Sequence, residues 1–332
     1  MDTGICVIIA AMNAAPTIGR AVATALREAE TQEVIVIDDG SRDGTLEAAI
    51  AADDGSGRLK THRFEQNRGP SAARNQAIAM SNAPVLAILD ADDFLFPGRF
   101  RRLLAQDDWD FVADNIAFVD EAAVARAHHE VAEIEPSPKI IDLKTFVEGN
   151  ISKQGVRRGE IGFLKPLMRR DFLDQHRLRY REDLRLGEDY DLYARALACG
   201  ARYKVIHSCG YGAVVRGNSL SGSHRTEDLR RLYEADRAIL ASASLSDAER
   251  RVIRLHEQHI RARYELRHFL DVKREGGFGG ALAYALSHPA ALPAIAGGIL
   301  ADKTQGLRRP VEAPAALGGT GKLRYLLNAP AA

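Results

Sequence analysis

Three short, unbroken apolar runs set the terms for this chain: ICVIIAA at 5–11, EVIVI at 33–37 and VLAIL at 85–89. Runs of that length without polar alternation suit strands buried on both faces, the environment of a parallel sheet. Helical patterns lie between them. Pro16 opens one that reaches about Glu30, with Ile18, Val22, Ala25 and Leu26 on one side. A second follows Asp43, a candidate N-cap, to about Ala52, and a third runs from about Pro70 to Ser81 after strand-like residues 58–64. Alternating strands and helices predict an α/β fold, a mostly parallel sheet with flanking helices. Ligands in such sheets bind in the crevice beyond the carboxyl ends of the strands. Asp38-Asp39-Gly40 ends the second run and Asp90-Ala91-Asp92-Asp93 the third, so both acidic clusters should face one crevice.

Each cluster has a plain reading beside a chemical one. At Asp38 to Gly44 the plain reading is a turn with an N-cap; the chemical one is a carboxylate that accepts hydrogen bonds from a base or ribose. For Asp90, Asp92 and Asp93 the choice lies between an exposed acidic loop and a grip on Mg²⁺ or Mn²⁺. A hard cation held by one or two carboxylates, with phosphate oxygens completing its shell, would neutralise a departing diphosphate. Three carboxylates crowded at a buried strand end repel one another, and a cation would relieve that repulsion. A third cluster, Gly187-Glu188-Asp189-Tyr190-Asp191, opens a helix over 188–198. Acids in a first turn suit the helix dipole without any further role, yet a helix start beside a phosphate crevice is also a sound place for a general base, Glu188 or Asp189.

The remainder reads less regularly. Strands are expected at 110–118, 161–169, 203–207 and 211–216, with a basic loop over 149–160. Residues 226–271 carry a helical apolar stripe and should form two helices broken near Ser244–Ser246. From Gly276 to Ala301 there is no Asp, Glu, Lys or Arg. That stretch is long enough to span a bilayer, but its glycines, Pro289 and Pro293 favour lying against the membrane. Beyond Arg309 a Pro-, Ala- and Gly-rich end lacks the pattern of a packed element. The expected organisation is a catalytic domain over 1–222, a helical extension over 223–275 and an apolar tail over 276–332.

Composition narrows the partners. Lys plus Arg and Asp plus Glu both number 45, so a formally neutral chain gives no general basis for nucleic-acid binding. Cys6, Cys199 and Cys209 show no paired spacing, which argues against a disulfide framework and for a reducing compartment; Cys199 and Cys209 are expected to be small buried residues. No basic leader or cleavage pattern precedes the first strand, so no secretory signal is read. A nicotinamide site would need GxGxxG after the first strand, where the chain has Ala10 to Ala15 instead. Gly318 to Lys322 lacks the first Gly and the final Ser/Thr of a phosphate loop.

Five strings in order, VIIAAMN at 7–13, VIVIDDGSRDGT at 34–45, NRGPSAARN at 67–75, ILDADDF at 88–94 and GEDYDLYARAL at 187–197, resemble the inverting family-2 glycosyltransferases of the GT-A fold. The resemblance covers about residues 5–220. It implies a UDP-sugar donor, Asp39 against the uridine, Asp90 beside the donor with Arg74 near it, Asp92 as chief ligand of Mg²⁺ or Mn²⁺, and Asp189 as catalytic base. Members often place an aromatic near position 12 to pack on the base; Met12 stands there instead. Residues 148–170 and 207–240 further resemble the β-1,6-glucosyltransferases of succinoglycan-type exopolysaccharide synthesis. That implies UDP-glucose, an acceptor oligosaccharide on a polyprenyl diphosphate, and a cytoplasmic enzyme peripheral to the inner face of the cytoplasmic membrane. Placed between the metal cluster and the base in sequence, Lys153, Arg157, Arg158, Lys165, Arg169 and Arg170 read either as a solvated loop or as a border of the acceptor, and Arg216, Ser219 and His224 read first as a plain polar loop and second as a closure over the diphosphate. Two alternatives remain at this point, a nucleotidyltransferase acting on a sugar phosphate and a non-catalytic sugar-binding scaffold.

Overall fold

The computed structural model describes residues 4–124, 139–151, 161–215, 225–242, 244–305 and 324–327. Strands β1 (Ile5–Ala11), β2 (Thr31–Asp38), β3 (Leu59–Arg63) and β4 (Val85–Ile88) run parallel in the spatial order β3-β2-β1-β4. β4 and nearly all of β1 and β2 are buried, as unbroken apolar runs require. Helices α1 (Ile18–Leu26), α2 (Thr45–Ile50) and α3 (Pro70–Met80) make the crossovers. The buried face of α1 holds the expected Ile18, Val22, Ala25 and Leu26. Pro70 stands in the first turn of α3, where its missing N–H costs nothing, and follows Gly69 at φ 92°.

The sheet continues through β5 (Phe94–Leu95), β6 (Phe111–Asp120), β7 (Lys139–Ile141), β8 (Leu167–Arg169) and β9 (Tyr203–Val215). α4 (Arg99–Leu104), α5 (Leu143–Gly149), α6 (Arg170–Gln175) and α7 (Glu188–Ala198) lie between these strands in the chain. β8 sits antiparallel between β4 and β6, and β9 runs parallel to β6 but antiparallel to β5 and β7. The parallel half thus holds β1 to β4, and the sheet as a whole is mixed.

Two expected strands differ. Of 161–169 only the last three residues are strand, because 161–163 forms a 3₁₀ turn and Pro166 cannot donate to a ladder. The two strands expected at 203–207 and 211–216 are one, uninterrupted through Gly210 and Gly212. Those glycines mark close approach of other elements. A Cβ on Gly210 would meet Arg99 Cγ at 2.3 Å, and one on Gly212 the Phe94 ring at 2.3 Å.

The chain divides into two compact units, Met1–Ser219 with Lys322–Ala332, and Leu220–Gly321. In the second, α8 (Thr226–Ser242) and α9 (Asp247–Ser287) break where expected, and Ser246 with Glu249 forms a reciprocal capping box on α9. α9 kinks at Gly277, φ 62°, and α10 (Leu292–Gln305) follows. The expectation of a single tail over 276–332 fails at its end. β10 (Arg324–Tyr325) pairs antiparallel with β6. The Asn115 side chain accepts from Leu327 N at 2.8 Å and donates to its carbonyl at 2.9 Å. Residues 318–322 lie outside the described part.

Candidate active site

The loops after β1 and β2 are laced together. Ser41 Oγ accepts from Asn13 N at 2.9 Å, Asn13 Oδ1 from Arg42 N at 3.0 Å, and Thr45 Oγ1 from Ala14 N at 2.8 Å. Asp38 is buried, accepts from Ser41 N and pairs with Arg63. Asp39 reaches the other way. Its carboxylate accepts from Arg68 N at 2.6 Å, Gly69 N at 2.8 Å and Asn67 Nδ2 at 2.9 Å, serving backbone donors at the start of α3. A carboxylate offers about four acceptor positions, so one remains for a ligand. Asn67 Nδ2 also lies 2.7 Å from Met12 Sδ, and one amide therefore links Met12, exposed at the rim, to Asp39.

α3 connects this corner to the third cluster. Asn75 Nδ2 donates to the Tyr180 carbonyl at 2.8 Å, and Tyr180 N returns a bond to Asn75 Oδ1 at 3.0 Å. Ser71 Oγ donates to the Leu184 carbonyl. These ties set the start of α7, turned by Gly187 at φ 73°, over Arg74. The Arg74 guanidinium contacts Glu188 at 3.0 Å, Asp189 at 3.1 Å and Asp90 at 3.2 Å. Lys165 Nζ lies 2.8 Å from the second oxygen of Asp189 and 3.0 Å from that of Asp90. Two cations and two carboxylates thus close a ring, with Glu188 as a fifth member. Arg74, Lys165 and Asp189 are buried.

The ring holds its own charge states. Burial would push the Asp90 carboxyl up, but Lys165 and Arg74 outweigh it and hold it below the usual carboxylate range. Burial would lower Lys165, but Asp189 and Asp90 raise it, so it stays an ammonium. Arg99 donates to the Lys165 carbonyl while pairing with buried Asp114 at 3.0 Å, which fixes the backbone from which Lys165 projects.

The second cluster does not converge as three carboxylates. Asp90 belongs to the ring. Asp93 turns into the sheet, accepting from Tyr211 Oη at 2.7 Å and Val214 N at 2.9 Å. Burial, followed by the charges of Asp90 and Asp92, pushes its carboxyl up to about 8. Asp92 lies between, its carbonyl held by Arg20 at 2.6 Å. The crowding expected to call for a cation is therefore relieved largely by protein groups. Among the described residues no three His, Cys, Asp or Glu side chains are grouped to cage a metal. A site of one or two carboxylates completed by phosphate oxygens still fits this strand end, whose surplus negative charge is felt at Asp93.

Asp90, Arg74, Glu188 and Asp189 are thus brought together, and Met12 joins Asp39 around Asn67. The basic run needs correction. Lys165 is spent on two carboxylates. Arg169 bonds the Trp109 carbonyl at 2.8 Å and lies over that ring, and Arg170 bonds the Ala83 carbonyl at 2.6 Å. Both arginines are thus engaged in bracing loops. Lys153, Arg157, Arg158, Arg216, Ser219 and His224 lie outside the described residues. Cys209 is buried as expected, whereas Cys199 is exposed, one residue past the end of α7. Lys165 is the site residue that sequence reading misplaced. Its setting in FLKPL was the available signal, since a lysine carried into the interior by apolar neighbours such as Leu164 and Leu167 must be paired.

With parallel strands carrying acids to one crevice and a helix start closing it, the architecture is that of a GT-A glycosyltransferase. Residues 6–174 match the model of glycosyl transferase family 2, and the chain belongs to that family. It is 68% identical to the succinoglycan biosynthesis protein ExoU of Rhizobium meliloti (strain 1021), over 98% of this chain and 96% of that protein. It is also 34% identical to the succinoglycan biosynthesis protein ExoO of the same strain, over 86% of this chain and 82% of the relative. Among solved structures, S. aureus TarS 1–349 in complex with UDP-GlcNAc superposes with a TM-score of 0.58 at 20% identity, covering 82% of this chain and 74% of that one. The mannosyltransferase PcManGT from Pyrobaculum calidifontis, in complex with GDP-Man and Mn²⁺, gives 0.52 at 18% identity, covering 92% and 81%. The two structural likenesses speak to the fold alone. Family membership sets aside the nucleotidyltransferase and scaffold alternatives.

Proposed function

We propose that this enzyme transfers glucose from UDP-glucose, with inversion, onto a polyprenyl-diphosphate-linked oligosaccharide during assembly of a succinoglycan-type exopolysaccharide, working at the inner face of the cytoplasmic membrane. The observation that carries the reaction is the ring of Asp90, Arg74, Asp189 and Lys165, which ties the end of β4 to the first turn of α7. The pathway rests on the 68% identity to ExoU.

Asp39 and Met12 line the corner for the uridine, Asp39 through its remaining acceptor position. Asp90 borders the sugar. Asp92 would hold Mg²⁺ or Mn²⁺, which when bound supplies positive charge beside the departing diphosphate. Asp189 takes the proton of the acceptor hydroxyl as that oxygen attacks the anomeric carbon, and Arg74 and Lys165 keep its carboxylate oriented. Attack opposite the leaving group turns an α-linked donor into a β-linked product.

The test is transfer from UDP-glucose to a lipid-linked acceptor by Asp189→Asn. UDP affinity should persist while turnover falls by ~10²–10⁴-fold, the worth of a positioned base. A variant within a few-fold of wild type removes Asp189 from the role. An α-linked product by NMR overturns inversion, and equal use of free glucose overturns the acceptor.

A further inference from the structure

The helical unit carries a bare apolar face that the transfer reaction leaves unexplained. Twelve large apolar side chains are exposed among the described residues, and five of them fall between 278 and 300. Phe278 at 82%, Leu286 at 75%, Leu300 at 64% and Leu282 at 62% are the barest four. Phe278, Leu282 and Leu286 recur every four residues along the part of α9 beyond the Gly277 kink, so they share one helix face. The other side of that segment is satisfied. Ala281 is buried, Tyr284 donates to Glu265 at 2.7 Å, and its ring packs on His268 and Phe269. α10 lies against the same helix, close enough that a Cβ on Gly298 would meet Leu266 at 2.4 Å. Folding has therefore chosen which side to bury and left the Phe278 side outward.

We infer that this face, Phe278, Leu282 and Leu286 with Leu292 and Leu300 on the following helix, docks on an anionic phospholipid surface. Three observations select lipid over a protein partner. Bulk is supplied by isolated Phe and Leu separated by Gly279, Gly280 and Ala283, a sparse apolar face rather than a close-packed patch. No Asp, Glu, Lys or Arg interrupts 276–301, and in the stretch that follows, 302–321, Lys303, Arg308 and Arg309 outnumber Asp302 and Glu312. At the boundary, Lys273 holds its ammonium 4.9 Å from the exposed Phe278 ring, the arrangement of a side chain whose stem enters an interface while its charge stays at the headgroups; neighbouring Arg274 pairs with Asp271. Among the described residues no single helix is long and apolar enough to cross, and the one bent pair that passes by length and composition turns through 97° at its break. A face laid in the interface accommodates that bend.

This deepens the reading of a membrane-bound acceptor, but it is tested without donor or acceptor, so either can fail alone. The full chain is mixed with phosphatidylcholine vesicles, with and without phosphatidylglycerol, and sedimented. Wild type should bind the anionic vesicles, and Phe278→Ser/Leu282→Ser/Leu286→Ser should bind about tenfold or more weakly. Ile140→Ser, a change at an exposed apolar residue of the other unit, should bind as wild type. Lys273→Ser should cost roughly fivefold on anionic vesicles only. Undiminished binding by the triple variant, equal binding to neutral vesicles, or no binding by wild type overturns the inference. A wild-type dimer in analytical ultracentrifugation, split by the triple change and indifferent to vesicles, also overturns it and assigns the face to a second copy.

Discussion

Replacing Lys165 with methionine keeps the length and apolar stem of the side chain and deletes one of the two cations in the ring. Asp90 and Asp189, each within 3.0 Å of the ammonium, then share Arg74 with Glu188, so three carboxylates face one guanidinium. Removing one partner of a buried ion pair typically costs ~3–5 kcal/mol. Asp90 is 35% exposed, and Arg74 stays bonded to both carboxylates. The low end, about 3 kcal/mol, is therefore expected. At ~2–4 °C per kcal/mol in a domain of this size, the melting point should fall by roughly 6–12 °C. Urea unfolding of the whole chain, followed by circular dichroism, reads the same loss. Adding Asp189→Asn to Lys165→Met removes one uncompensated charge and should recover at least ~0.5 kcal/mol relative to additivity. Single-variant stability within ~1 kcal/mol of wild type, or strictly additive behaviour, would refute the ring as a stabilising unit.

Three further outcomes are expected. Asp92→Ala should fold normally but lose metal-dependent UDP binding, whereas undiminished turnover in chelator after verified metal removal excludes a metal role. Asp39→Ala strips three hydrogen bonds from the start of α3 and should lower both stability, by ~1–2 kcal/mol, and UDP affinity; Asp39→Asn should regain more of the stability than of the affinity, and equal recovery of both contradicts a direct nucleotide contact. Asp93, raised from 3.8 to about 8, binds more protons in the folded than in the unfolded metal-free protein between those values, so its contribution to stability is complete below about 3.8 and is lost as pH rises toward about 8. Asp93→Asn should therefore gain on wild type from pH 4 to 8 in denaturation curves, and a constant gap between them contradicts the raised value.

How much of this was legible depended on whether the information lay along the chain or across it. Short unbroken apolar runs bounded by turn signals and alternating with helical patterns suit a sheet buried on both faces, so β1, β2 and β4 could be read directly. The start of α7 could be read too, because Gly187 and the acids behind it are a local signal. The mixed half was hidden, since β8 is three residues long and is defined by neighbours over 50 positions away. The break expected between 207 and 211 failed for the same reason: the strand runs through, and what demands a missing Cβ at Gly210 and Gly212 is Arg99 and Phe94. At the site, the residue types were legible and their bonding was not. Nothing in DADD says that Asp93 turns inward to Tyr211 while Asp90 faces Lys165. Lys165, Arg169 and Arg170 look alike in sequence, yet one pairs with Asp189 and the others with backbone carbonyls.

The return of the chain to β6 has a practical consequence for anyone dissecting this enzyme. Topologically the helical unit is an insertion, with sheet before it and sheet after it. Truncation anywhere between 220 and 321 discards β10 and leaves Asn115 without its paired bonds to Leu327. It would also open the edge of β6 at Ala117 and Phe118 to strand pairing with another chain. The rational minimal enzyme is an internal deletion that bridges Ser219 to Lys322 with a flexible linker and keeps the final segment.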